Sequence, residues 1–174
     1  CVFMLWGSHA RAEAARAPFL LEVYGTERQI IAKQTIQVDL PPASSVPVYL
    51  ADVAPRGSVA TQAFLAPVTE SIVWRRASAE KPVLPTVEQV SITEGDAPRI
   101  RATLVNPLAR AIYDTTLITT VFDASGNAMA GSQTFVPTLP SQGTAPLVFT
   151  WNAPFGAPVA RVEILPVPEL SRAP

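Results

Sequence analysis

The sequence predicts an all-β protein built from two tandem β-sandwich modules, the first of them clipped at its N-terminus. Three observations lead there. Short runs of branched and aromatic residues are separated by turn residues, with 18 prolines against 8 glycines in 174 residues. Such a composition suits many short strands joined by stiff turns. Several runs alternate apolar and polar residues with the period of a half-buried strand. Finally, one half of the chain repeats the other.

The repeat organises everything else. VYGTERQIIAKQTIQVDLPPASSVPVYL (23–50) lies beside VFDASGNAMAGSQTFVPTLPSQGTAPLVF (121–149). Val23-Tyr24 falls on Val121-Phe122 at a separation of 98 residues, and the remainder runs at 99. Gln34-Thr35 then matches Gln133-Thr134, Leu40-Pro41 matches Leu139-Pro140, and Pro47 matches Pro146. Ala54-Pro55 and Gly57 match Ala153-Pro154 and Gly156. The extra residue is expected in the opening loop, because a hairpin turn at the surface absorbs a length change most easily. Carried backward, the alignment starts the first module about 12 residues ahead of Cys1. The first module therefore lacks its first strand, and the natural protein is expected to be longer at its N-terminus.

The elements follow in order. In the first module (1–75), VFMLW reads as a buried strand. HARAEAARA (9–17) has the helix propensity of its alanines but no wide apolar face. Its repeat partner contains Pro107 and the β-branched Ile112, so a loop or half-formed strand is expected. FLLEVY (19–24) turns Phe19, Leu21 and Val23 inward and Glu22 outward; VATQAFL and ESIVWRR are read as the closing strands. RASAEKPVLPT (76–86) has a linker's composition, with prolines that favour extended, semi-rigid geometry. In the second module (87–166), RIRATLVN places Ile100, Ala102 and Leu104 on one face. DTTLITTVF places Leu117 and Val121 on one face, and QTFVPTL, APLVFTW and VARVEIL follow. The tail VPELSRAP (167–174) is expected to fray. Six or seven short strands in about 80 residues is the count of an immunoglobulin-like sandwich.

TTVFDASGN and LEVYGTERQ resemble degenerate versions of the FxLYD module, an immunoglobulin-like β-sandwich of bacterial and archaeal envelope proteins. The Tyr position of that motif is Phe122 or Tyr24, and the Asp position is Asp123 or Gly25. The Leu position is Val121 or Val23, and the Phe position is Thr119 or Leu21. LVNPLARAIYD resembles the family's Asn-Pro turn at Asn106-Pro107, and LVFTWNAPFGAPVARVEI its closing strands. The resemblance covers 86–166 well and 2–75 moderately. It implies an extracytoplasmic, non-catalytic protein, often anchored by one N-terminal membrane helix, which would precede the present chain. It carries no catalytic residues.

The residues themselves point the same way. DASGN could be an oxygen cage for a hard cation, but calcium takes roughly six to eight oxygens and the first copy, GTERQ, has lost the ligand residues. Asp, Asn and Gly are also what a turn requires, and the turn is the reading adopted. Net charge is −1, which gives no reason to expect nucleic acid or an anionic membrane surface. Cys1 and His9 are the only residues of their kinds, so no internal disulfide and no Cys/His zinc site can form. Cys1 could bear a lipid, although the apolar run behind it reads better as a strand than as a tether. His9 reads as a solvated turn residue rather than a triad member, and Glu94 and Asp96 flank Gly95 in a turn composition rather than forming a catalytic pair. No catalytic residue, cofactor site or metal site is assigned.

Trp6, Trp74 and Trp151 read as core or rim packing, with one combination set apart. Trp74 adjoins Arg75 and Arg76, the side-chain types favoured at binding hot spots, and these three form the candidate interaction surface. The expected function is that of a non-catalytic envelope protein whose modules act as spacer, scaffold or partner-binding domains, with an envelope protein or a glycan as partner. The alternative is an accessory glycan- or peptide-binding module of a larger surface enzyme.

Overall fold

The computed structural model describes residues 2–6, 11–77, 83–168 and 170, without the side chains of Val2 and Trp6. The chain divides into two compact units, one of residues 1–81 with 168–174 and one of residues 82–167. Unit 1 contains β1 (Val2–Trp6), β2 (Ala12–Tyr24), β3 (Ile30–Leu40), β4 (Ser45–Tyr49), β5 (Gln62–Pro67) and β6 (Arg75–Arg76). Unit 2 contains β7 (Thr86–Thr93), β8 (Arg99–Val105), β9 (Ile112–Phe122), β10 (Ala128–Leu139), β11 (Thr144–Thr150) and β12 (Arg161–Pro166). Among the described residues the one helical element is a 3-10 turn at Thr69–Ser71.

Unit 2 is two antiparallel three-stranded sheets, β11-β8-β7 and β10-β9-β12. Both contribute to one core: Ile100, Ala102 and Leu104 from β8, Leu147 and Phe149 from β11, Leu117 and Val121 from β9, Val136 and Leu139 from β10, and Ile164 from β12. Alternation along each strand turns these side chains toward the facing sheet, which is how the layers of a β-sandwich share a core. Unit 1 has β1 paired with β4, and a second sheet in the order β3-β2-β5 to which β6 adds a short pairing with β2. Phe19, Leu21 and Val23 are buried as their alternation requires, together with Val38, Leu40, Val46 and Val48.

Five strands of the two units correspond, β1 to β5 with β8 to β12. Trp6 pairs with Ser45 as Val105 pairs with Thr144, and Tyr24 pairs with Gln62 as Phe122 pairs with Arg161. Even the unusual backbone is repeated. Arg16 and Asp114 share a left-handed φ (52° and 54°), as do Arg28 and Gly126 (59° and 83°) and Ala43 and Gln142 (45° and 49°). β7 has no counterpart among the described residues of unit 1.

The extra residue of the second copy does not lie in the opening hairpin. Both loops span five residues with the same bonds: Gly25 N–H donates to Gln29 O and Arg28 N–H to Gly25 O, as Asp123 N–H donates to Asn127 O and Gly126 N–H to Asp123 O. The length change falls at the far end of the hairpin, where Asp39 alone separates Val38 from Leu40 but Pro137 and Thr138 separate Val136 from Leu139. In unit 1 the ladder shifts there, between Ala14 and Ala17, and the Arg16 N–H thrown out by the bulge donates to Asp39 Oδ1 at 2.8 Å. In unit 2 the added residue lies opposite Asp114 and the pairing continues without a shift. The Gln-Thr identity is thus out of structural register, since Gln34 takes the place of Ser132. A slip of one residue would turn Val38 and Val136 away from the core, and both are buried.

Four further expectations are corrected. Residues 12–17, expected as loop or half-formed strand, belong to β2, where tertiary pairing with β3 overrides alanine's helix propensity. ESIVWRR is no continuous strand: β5 ends at Pro67, as β12 ends at Pro166, and only Arg75–Arg76 re-enters a ladder. Arg76 and Thr86, taken as linker, lie in β6 and β7. The tail is tied down where it is described, Val167 N–H donating to Thr116 O at 2.8 Å and Leu170 N–H to Asp39 Oδ2 at 3.2 Å. Glu169 and residues 171–174 lie outside the described residues.

Candidate functional site

The segment IVWRRA (72–77) owes its geometry to the end of β5. Val68 N–H donates to Pro18 O at 2.9 Å, and the 3-10 turn at 69–71 then interrupts the pairing. The chain rejoins β2 nearer its start, still antiparallel to it, with Arg75 opposite Glu13 and Arg76 opposite Ala12. Ala77 N–H closes the pairing on Arg11 O at 3.0 Å. Backbone bonds thus hold the segment while its central side chains reach the surface: Val73 is 69% exposed and Trp74 43%, and Arg75 and Arg76 are both exposed. The structure therefore brings Trp74, Arg75 and Arg76 together and adds Val73 as an apolar neighbour. It also sets the acidic Glu13 in register with Arg75. Val73 carries no signal in the sequence beyond its place before Trp74, and Glu13 becomes visible only once the ladder is known.

A second cluster was not singled out from the sequence. On the outward face of β3-β2-β5, Glu22 stands in register with Lys33 on one side and Phe64 on the other. Lys33 Nζ donates to Glu22 Oε1 at 2.9 Å and Tyr24 Oη donates to Glu22 Oε2 at 3.2 Å. Tyr24 meets Phe64 edge-on, with ring centroids 5.6 Å apart. The hydrogen bond from Lys33, then that from Tyr24, lowers the Glu22 carboxyl below its ordinary pKa. Glu22 in turn raises both the Lys33 ammonium and the Tyr24 phenol. The outward position of Glu22 was legible in FLLEVY; its partner was not, because that depends on the hairpin register. In unit 2 the corresponding positions are Thr120, Gly131, Phe122 and Glu163. There Arg161 sits 3.8 Å over the Phe122 ring and pairs with Glu163.

The remaining sequence candidates take structural places. Asp123 Oδ1 accepts the N–H groups of Ser125 and Asn127 at 2.9 and 2.8 Å, and Oδ2 accepts from Asn127 Nδ2 at 3.0 Å. These donors, Asn127 first, hold its carboxyl below the ordinary value, and they spend both oxygens on the turn. Asn106 is buried and staples its loop: Nδ2 donates to Arg110 O and Pro140 O, each at 2.8 Å, and Oδ1 accepts from Leu108 N–H at 2.9 Å. Trp151 packs against the core of unit 2, donates from Nε1 to Gly131 O at 3.3 Å and meets Phe155 edge-on at 5.1 Å. Glu94 and Asp96 lie exposed in the turn between β7 and β8, where Gly95 takes φ +126°. Cys1 and His9 lie outside the described residues.

Compared with protein-family models and with curated proteins, the chain matches none. Among the described residues no three His, Cys, Asp or Glu side chains gather where they could hold a metal ion. No helix among them is long and apolar enough to cross a membrane.

Proposed function

We propose that the chain is a non-catalytic surface protein of tandem immunoglobulin-like, FxLYD-like modules that recognises an envelope partner through Trp74, Arg75 and Arg76. The observation that carries this reading is the presentation of Val73 and Trp74, 69% and 43% exposed, beside two arginines on a backbone-paired edge. An aromatic ring and a guanidinium on a pre-ordered segment contribute contact area and charge-assisted bonds with little ordering cost. The Asn106-Pro107 turn, the VFD and VYG strand ends and the repetition of one sandwich pattern in both units support the family resemblance. With that resemblance come a place outside the cytoplasm and attachment through an N-terminal anchor.

The test offers the chain and its Trp74→Ala/Arg75→Ala variant, side by side, to envelope extract and to immobilised cell-wall glycan. One envelope protein recovered by the chain and lost by the variant is the expected result, with unchanged amide exchange in β2 and β6 showing that the ladder survives. Equal recovery by both forms would move the interface elsewhere. Recovery of nothing by a folded chain would leave the spacer role. Retention on glycan alone, lost in the variant, would favour the accessory glycan-binding module, since an exposed indole is also a platform for a sugar ring.

A further inference from the structure

Among the described residues β1 lies at a sheet edge in unit 1 where its counterpart in unit 2 does not. The edges formed by β3, β4 and β5 correspond to edges formed by β10, β11 and β12. β1 is the exception. Its counterpart β8 is the middle strand of three, with β11 on one side and β7 on the other, whereas β1 pairs among the described residues with β4 alone. The shared register makes the comparison residue by residue. Phe3 stands where Ala102 stands, Met4 where Thr103 stands and Leu5 where Leu104 stands.

Two independent features mark β1 as a middle strand in an edge position. The first is its sequence, VFMLW, which is apolar on both faces. Strands at natural edges carry charges, prolines or bulges that discourage pairing, as Pro47 in β4, Lys33 in β3 and Pro67 in β5 illustrate. β1 has none of these. A continuous apolar run is what a strand flanked and covered on all sides reads like. The second feature is burial. Ala102 and Leu104 are buried at 6% and 0% exposure, whereas Phe3 and Leu5 are only half-buried.

We infer that the open edge of β1 is a strand-acceptor site, filled by an extended segment with the pattern of β7 running antiparallel to β1. β7 shows what that occupant needs. On β8 it meets Val105, Leu104 and Thr103 with Thr86, Val87 and Glu88, then crosses a bulge at Gln89, where φ is 54°, to meet Arg101 with Ser91. Val87 is its one half-buried side chain and packs against the core of unit 2; the rest of the strand is exposed. Recognition is therefore carried by main-chain hydrogen bonds along the edge, with one apolar side chain lying in register with Leu5. This is the strand-addition mode of binding, in which the ladder supplies affinity and alternate side chains supply selectivity. It does not involve the Trp74 surface.

The repeat defines the probe. Cys1 lies 99 residues before Ile100, so a copy of residues 86–99 joined ahead of Cys1 reproduces the path from β7 to β8. In that extended chain whichever of the consecutive Met4 and Leu5 amides points away from β4 should exchange about tenfold more slowly or better, as an edge amide does when a ladder closes over it. The thermal midpoint of unit 1 should also rise. A control extension carries proline at the positions of Val87 and Glu88, so that two consecutive donors are lost whichever of them faces β1; it should leave β1 exchange unchanged. Protection equal in both extensions, or absent from both, would overturn the proposal. So would a chain that dimerises through β1 and remains dimeric with the extension in place, because that edge would then belong to a second copy.

Discussion

Leu21 and Thr119 occupy the same place in the two units, on the inward face of the central strand, and they solve it differently. Leu21 is 1% exposed and fills the position with hydrocarbon. Thr119 is 0% exposed, and its Oγ1 has no hydrogen-bond partner. A buried hydroxyl without a partner costs about 1–3 kcal/mol, so the second unit carries a penalty the first does not. Unit 2 has compensations with no counterpart among the described residues of unit 1: a third strand on β8, the Asn106 staple and the Trp151–Phe155 contact. The same sandwich pattern can therefore be stabilised by uniform apolar filling or by a flawed core with more closure around it.

Exchanging the two solutions breaks the comparison most sharply. Leu21→Thr should destabilise unit 1 by about 3 kcal/mol, the sum of lost apolar burial and a new unpartnered hydroxyl. Urea unfolding with amide exchange on β2 as the local readout measures it, and a loss below a third of that would mean that the site relaxes around the change. Asn106→Ala should cost unit 2 about 2 kcal/mol, since two carbonyls and one N–H lose their partner together. Exchange on β9 and β10 should rise while β2 and β3 stay unchanged. Thr119→Val should stabilise unit 2 by about 1 kcal/mol, because the hydroxyl is removed and the shape is kept; a loss of stability would show that Oγ1 does find a partner in solution.

The smallest effect concerns the matching hairpins. The Asp123 carboxyl is held below its ordinary pKa, so its contribution is present above the unfolded value and is lost as pH falls through the folded one. The amide signals of Ser125 and Asn127 should therefore move together in an acid titration, below the usual carboxylate range. Asp123→Asn should abolish that step while keeping an Asx-type turn. The hairpin of unit 1 lacks the step that belongs to the Asp123 position, since Gly25 there has no side chain to titrate and its loop is closed by backbone bonds. A common acid step in both hairpins would trace the transition to something other than Asp123.

Much of the fold was legible because burial and alternation are local. Phe19, Leu21, Val23, Ile100, Ala102, Leu104, Leu117 and Val121 all point where a period of two requires, and all are buried. The residues that misled are those whose meaning depends on a partner strand. Gln34-Thr35 and Gln133-Thr134 align by identity, yet bulges and paired valines decide the register. Ala12, Ala14 and Ala17 have the propensity of a helix and the neighbours of a strand. Of the candidate surface, Trp74, Arg75 and Arg76 were readable as a tripeptide of suggestive chemistry. Their presentation on a strand edge was not, because it follows from a turn at 69–71 and a pairing with Glu13 and Ala12, far upstream. The Glu22–Lys33–Tyr24–Phe64 cluster was hidden for the same reason, as it assembles across three strands.

By itself the sequence determined the all-β class, the repeat of one pattern along the chain and the inward face of each central strand, since alternation and turn chemistry act over a few residues. Only the tertiary structure decided where the extra residue of the second copy lies, that the Ala-rich segment becomes strand, and that β1 pairs among the described residues on one side where β8 pairs on two. Those outcomes rest on hydrogen bonds between strands far apart in sequence, and such a ladder has no local signature until its partner is in place.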